Sequence, residues 1–112
     1  FTDWINDPSK RYQTYMTREL PPLIDAAYNT NGVNAVGGLS STGGTAIDYA
    51  VQAPGVYRAV GSYSGFLAPS DPQSAQQVAL TLGSGGASAE NMWGPLGGPL
   101  WVAHDPLRAP EA

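Results

Sequence analysis

The 112-residue chain has no cysteine, which excludes disulfides and thiolate metal sites. Charge is scarce: 12% of residues are Asp, Glu, Lys or Arg, only five are basic, and the net charge is −4. A nucleic-acid interface needs a basic patch, and five dispersed cations do not make one. No apolar run approaches 18 residues, so no membrane-spanning helix is expected. A single histidine, His104, leaves one in-chain candidate for a neutral-pH base. Gly83 to Gly86 carry no phosphate-loop lysine, which argues against a nucleotide site. Nor is there a signal-peptide pattern: the chain opens on Phe1-Thr2-Asp3-Trp4, and neither end has a capping or tail pattern, so both read as cut ends.

What is present is an ordinary globular composition, 42% hydrophobic, with 14 Gly and 10 Pro as punctuation. The length predicts one domain with a modest core. Ser9 is placed to cap a helix over about residues 10–28, with Tyr12, Tyr15, Met16, Leu20, Leu23, Ile24 and Ala27 forming an apolar stripe at helical spacing. Pro21-Pro22 should kink it or split it in two. Asn29-Thr30-Asn31-Gly32 reads as a turn. Val33 to Leu39 reads as a short strand buried on both faces, Gly43 to Ala53 as a helix, and Tyr57 to Tyr63 as a second strand leaving through Ser64-Gly65. Pro72 to Leu82 predicts a further helix, 83–88 a loop, and 90–112 an irregular, proline-punctuated end.

Helices alternating with strands imply parallel strands joined by helical crossovers. Two or three parallel strands cannot cover both their faces or close their edges. The expected architecture is therefore α/β, an interior slice of a larger sheet.

The most informative stretch is Ala35-Val36-Gly37-Gly38-Leu39-Ser40-Ser41-Thr42-Gly43-Gly44. An apolar strand running into small residues around a serine, followed by a helix, is the pattern of a nucleophile elbow. There the turn pushes the hydroxyl out of the sheet, and the backbone N–H of Ser41, at the helix start, can face an oxyanion. Thr42 stands where G-x-S-x-G usually has its second glycine. The alternative reading makes Ser40 or Ser41 the N-cap of the following helix. A serine nucleophile needs a base and an acid. Ser40, then Asp71 or Glu90, then His104 follows the chain order of an α/β-hydrolase triad, whereas a histidine beside Asp105-Pro106 also fits loop packing. Tyr12, Tyr15, Tyr57 and Tyr63 read as core or core-edge. Trp93 and Trp101 read as burying against the sheet, with stacking on a sugar as the alternative. Lys10-Arg11 reads as a solvated helix start.

Several segments resemble one known family. Tyr12-Gln13-Thr14-Tyr15-Met16-Thr17-Arg18-Glu19-Leu20-Pro21, then Asn31-Gly32-Val33-Asn34-Ala35-Val36 running into Gly38-Leu39-Ser40, then Tyr57 to Gly65, Asn91-Met92-Trp93-Gly94-Pro95 and Asp105-Pro106 are similar to the actinobacterial mycolyltransferases. These are the antigen 85 group and its corynebacterial relatives, and the corynebacterial branch is the nearer. The resemblance implies a partial α/β-hydrolase fold, with residues 1–112 the central part of a single domain exported to the cell envelope. It implies transfer of mycolyl (corynomycolyl) groups between trehalose monomycolate and trehalose or cell-wall arabinogalactan, through a serine acyl-enzyme without metal or cofactor. On this resemblance Ser40 is the nucleophile and Ser41 the backbone oxyanion donor, although the family often carries Met at position 41. The family's acid and histidine would lie beyond residue 112, and its other oxyanion donor and much of its trehalose surface before residue 1. His104 matches a position where relatives commonly have asparagine, so it is not the family's base. The isolated chain is then expected to be inactive and to associate with itself or with a complementary piece. The alternative is a non-catalytic envelope remnant that binds glycolipid or a partner protein.

Overall fold

A computed structural model describes residues 1–108. The chain starts with an isolated antiparallel bridge between Asp3 and Arg11. Helix α1 (Tyr12–Thr14) runs into a π-helical turn (Tyr15–Glu19) and then α2 (Leu20–Tyr28). Strand β1 (Ala35–Leu39), helix α3 (Ser41–Gln52) and strand β2 (Ala59–Tyr63) follow, and then helices α4 (Pro72–Ser84), α5 (Ala89–Trp93) and α6 (Pro99–Ala103).

The two strands pair in parallel, Ala35 opposite Ala59 through to Leu39 opposite Tyr63, with α3 as the crossover packed against both. The expected α/β alternation is therefore present. Its burial is not: Leu39, Val60 and Tyr63 are exposed, because among the described residues no further strand pairs with either edge. The helical stripe fares the same way. α2 has no buried residue, and Tyr12, Tyr15, Leu23, Ile24 and Tyr28 face outward. Tyr57 is half-buried and ties the first helix to the sheet through an Oη–H donated to the Met16 carbonyl.

Other expectations need correction. The helix starts at Tyr12 with Arg11 at its cap, because the Ser9 hydroxyl is spent on Asp7 Oδ1 at 2.6 Å. The break expected at Pro21-Pro22 is present: a π-helical turn (Tyr15–Glu19) separates α1 from α2, and α2 starts at Leu20 with the prolines in its first turn, where a missing N–H costs little. Asn29, in the left-handed conformation at φ 54°, stops α2 where the turn was expected. α4 continues to Ser84, two residues into the expected loop, and α5 and α6 form where irregular chain was expected. Each short helix starts at a residue in extended backbone, Ser88 and Gly98, and Pro99 opens α6 at a position where its missing N–H costs nothing. Residues 109–112, the end of that segment, lie outside the described residues.

The buried core lies among the helices. Ala75 of α4, Ala89 and Met92 of α5 and Trp101 of α6 pack together, flanked by Trp4, Val78, Ala79, Leu82 and Trp93. The two tryptophans thus bury against helices and each other, edge to face at 5.1 Å, and not against the sheet. Asp105, fully buried, bonds the segment after α6 to the chain entering α4: its carboxylate accepts from the Ser70 N–H and hydroxyl and from the Leu107 N–H.

Candidate active site

β1 ends at Leu39 and α3 begins at Ser41, leaving one residue for the reversal. That residue, Ser40, has φ 57° and ψ −121°. An L-residue at positive φ normally takes ψ near +50°; this combination is strained and persists only where the surroundings enforce it. Three contacts do so. The Ser40 N–H donates to the Tyr63 carbonyl at 2.8 Å, and the Ser40 carbonyl accepts from the Gly43 N–H at 3.0 Å. The Thr42 hydroxyl clasps Leu39 from the other side, accepting its N–H at 2.9 Å and donating to its carbonyl at 2.8 Å. Gly38 allows the closeness: a Cβ there would lie 1.9 Å from the Thr42 carbonyl oxygen.

Ser40 is exposed and its side chain makes no capping hydrogen bond. The cap reading is therefore not what holds this serine. Ser41 opens α3, so its N–H has no carbonyl four residues earlier to bond and lies at the positive end of the helix dipole. A strained, solvent-facing hydroxyl beside such an N–H can attack an ester carbonyl and have the resulting negative oxygen stabilised.

The base is not beside it. His104 Nδ1 donates to Asp48 Oδ2 at 2.8 Å, and its ring stacks flat on Trp93 at 4.7 Å. Asp48 is eight residues along α3 from Ser40, about 12 Å of helical rise. Gln52 braces the pair, its amide donating to Asp48 Oδ1 and to the Ala103 carbonyl. His104 is thus a packing histidine. Asp71 caps α4 by accepting the Ser74 N–H, and Glu90 is an exposed residue in the first turn of α5. The structure does not bring Ser40, Asp71 or Glu90, and His104 together. Among the described residues no cluster of three or more His, Asp or Glu could hold a metal ion.

Burial raises the Tyr49 phenol well above its usual pKa, with Asp48 adding to it, and raises Tyr57 similarly. Tyr49 donates its hydroxyl hydrogen to the Phe1 carbonyl. Sequence reasoning missed Asp48 as the partner of His104. The only signal was an acid set among Ala46, Ile47, Ala50 and Val51, where a buried charge needs a partner. It also missed the Thr42 clasp, which showed only as a departure from glycine.

The Esterase family model matches residues 5–112. The chain belongs to this esterase family. It is 35% identical over 99 residues to the diacylglycerol acyltransferase/mycolyltransferase Ag85C of Mycobacterium leprae, covering 87% of this chain and 30% of that protein. It is 35% identical over 116 residues to the Ag85A enzyme of the same organism, covering 95% and 35%. The crystal structure of Mycobacterium tuberculosis MPT51 (FbpC1) superposes with a TM-score of 0.84 at 33% identity, over 94% of this chain and 40% of that one. Within the esterase family the chain is antigen 85-like, and its β1–α3–β2 unit is part of an α/β-hydrolase fold. It spans about a third of the length of these curated relatives.

Proposed function

We propose that this esterase-family chain carries the nucleophile of a serine acyltransferase, with Ser40 attacking an acyl ester and the Ser41 N–H stabilising the tetrahedral oxyanion. The observation that carries the reading is the backbone of Ser40, at φ 57° and ψ −121° between a strand and a helix and open to solvent. In the proposed step the Ser40 Oγ forms a bond to the carbonyl carbon, its proton passes to a base, and the sugar oxygen leaves as an alcohol. A second sugar hydroxyl then takes the acyl group from Ser40. The relatives named as mycolyltransferases support mycolyl (corynomycolyl) chains as the acyl group. Trehalose monomycolate is then the donor, and trehalose or arabinogalactan the acceptor, in a protein of the cell envelope. Residues 1–112 form the central part of one α/β-hydrolase domain in this reading. The base and acid are not supplied by residues 1–108, where His104 is held by Asp48, so the isolated chain is inactive.

A fluorophosphonate probe tests this in the full-length protein. The expected result is one labelled serine, mapped to Ser40 by peptide mass and lost in Ser40→Ala. Labelling elsewhere, or undiminished labelling of Ser40→Ala, overturns the reading.

The lack of a base and acid beside Ser40 among the described residues fits a second reading as well, a non-catalytic envelope module that binds glycolipid or a partner protein. It predicts trehalose-glycolipid binding that survives Ser40→Ala, with no ester turnover by the wild type.

A further inference from the structure

A second serine shares the positive φ of the first. Leu39 pairs with Tyr63 at the ends of the two parallel strands, so the next residues, Ser40 and Ser64, leave the sheet side by side. Both are non-glycine residues at φ 57°. Both are exposed, and the Ser40 N–H on the Tyr63 carbonyl locks one strand end to the other. Neighbouring strands lie about 4.8 Å apart, so the two hydroxyls can reach the same small group.

Ser64 is not free to relax. The residue after it, Gly65, is pressed against the first turn of α3: a Cβ on Gly65 would lie 2.8 Å from the Gly43 carbonyl carbon and from the Gly44 N. In return a Cβ on Gly43 would lie 2.8 Å from the Gly65 Cα, and one on Gly44 would lie 2.0 Å from the Phe66 carbonyl oxygen. Backbone packed on backbone thus fixes the β2 exit against the helix that carries Ser41. Among the described residues the Ser64 hydroxyl has no hydrogen-bond partner to account for its placement. Ligands in open α/β sheets bind beyond the carboxyl ends of the strands, where this pair sits.

We infer that Ser64 is a substrate-contacting residue of the same site, its hydroxyl bonding the alcohol side of the ester held over Ser40. This inference rests on Ser40 being the nucleophile. The division of labour follows from position. The carbonyl oxygen is drawn to the α3 N-terminus by the Ser41 N–H, which leaves the alkoxy oxygen, or a sugar hydroxyl next to it, to the hydroxyl on the β2 side. No covalent step involves Ser64.

The test compares Ser64→Ala, Ser64→Gly and Ser64→Thr in the full-length protein, with ester turnover, fluorophosphonate labelling and thermal unfolding measured on each. Loss of one hydrogen bond to the reacting ester is expected to lower kcat/KM roughly tenfold in both Ser64→Ala and Ser64→Gly. Ser64→Thr, which keeps the hydroxyl, is expected to retain more turnover than Ser64→Ala despite a β-branched side chain at positive φ. Labelling of Ser40 by a small fluorophosphonate, which has no sugar, is expected to stay within about twofold of wild type. Ser64→Gly relieves the strained φ and is expected to melt higher. Wild-type turnover in Ser64→Gly would overturn the inference, leaving Ser64 as a strained turn residue only. Equal loss of labelling and turnover in all three variants would also overturn it, by showing a disturbed elbow. An unlabelled Ser40 in the wild type would instead overturn the nucleophile reading itself.

Discussion

At Ser40 the backbone and not the side chain carries the information. A serine at φ 57° and ψ −121° is held by the Tyr63 carbonyl, the Gly43 N–H and the Thr42 clasp on Leu39. Gly38 is the point at which this arrangement is most easily broken. In Gly38→Ala the new methyl would meet the Thr42 carbonyl oxygen at 1.9 Å, and backbone rather than a flexible side chain would have to move. The expected cost is roughly 3 kcal/mol, read as a lower urea midpoint together with weaker fluorophosphonate labelling of Ser40. Asp7 offers a pH-dependent check. Hydrogen bonds from Lys10 and then Ser9 hold its carboxyl at about 2, below the ordinary 3.8. A depressed carboxylate adds stability that is complete above the unfolded value and is lost as pH falls through the folded one. The Asp7 contribution should therefore fade between about pH 4 and pH 2. A carboxyl carbon NMR titration of Asp7 with a midpoint near 4 would contradict this, and Asp7→Asn should flatten that part of the stability profile.

Among the elements, those with strong local patterns were legible in the sequence. The strand expected over Val33 to Leu39 is present from Ala35 to Leu39 and the helix expected over Gly43 to Ala53 from Ser41 to Gln52, because an apolar run and a small-residue turn are local properties, whereas the expected burial of the strand is not one. α4 is also present, opening at Pro72 as expected. The misjudged elements depended on non-local facts. The prolines did mark a helix start, but the π-helical turn ahead of them is something no propensity records. α5 and α6 are each five residues long, too short to show a period, and they are held by Trp101 and Met92 in the helical core. The site divides the same way: Ser40 and Ser41 are adjacent and readable, whereas the pairing of Asp48 with His104 spans 56 residues. The join between the end of α6 and the start of α4 turns on Asp105. Asp105→Ala would leave the Ser70 N–H and hydroxyl unpaired at a buried position and the Leu107 N–H unpaired at a partly buried one. The expected loss is about 3 kcal/mol in urea unfolding. A loss below about 1 kcal/mol would show that water replaces the carboxylate.

Across the molecule, apolar surface is distributed unevenly. Leu39, Val60 and Tyr63 on the strand pair, and Leu23, Ile24 and Tyr28 on α2, are exposed in a chain of net charge −4 with little repulsion to keep copies apart. Open strand edges and bare apolar faces promote association. The isolated 112-residue chain should therefore sediment as dimers or larger species at micromolar concentration. Glu or Lys at Leu39 and Tyr63 together should shift it towards monomer, and a monomeric wild type across that range would count against the prediction. The three tryptophans sit on the other side of this division: Trp4, Trp93 and Trp101 all belong to the helical core, and none lies on β1, α3 or β2. Indole fluorescence will accordingly track chiefly the helical core and reach α3 only through Trp93, by way of its stacked partner His104. An optical denaturation curve could look intact while the strained serine had already let go.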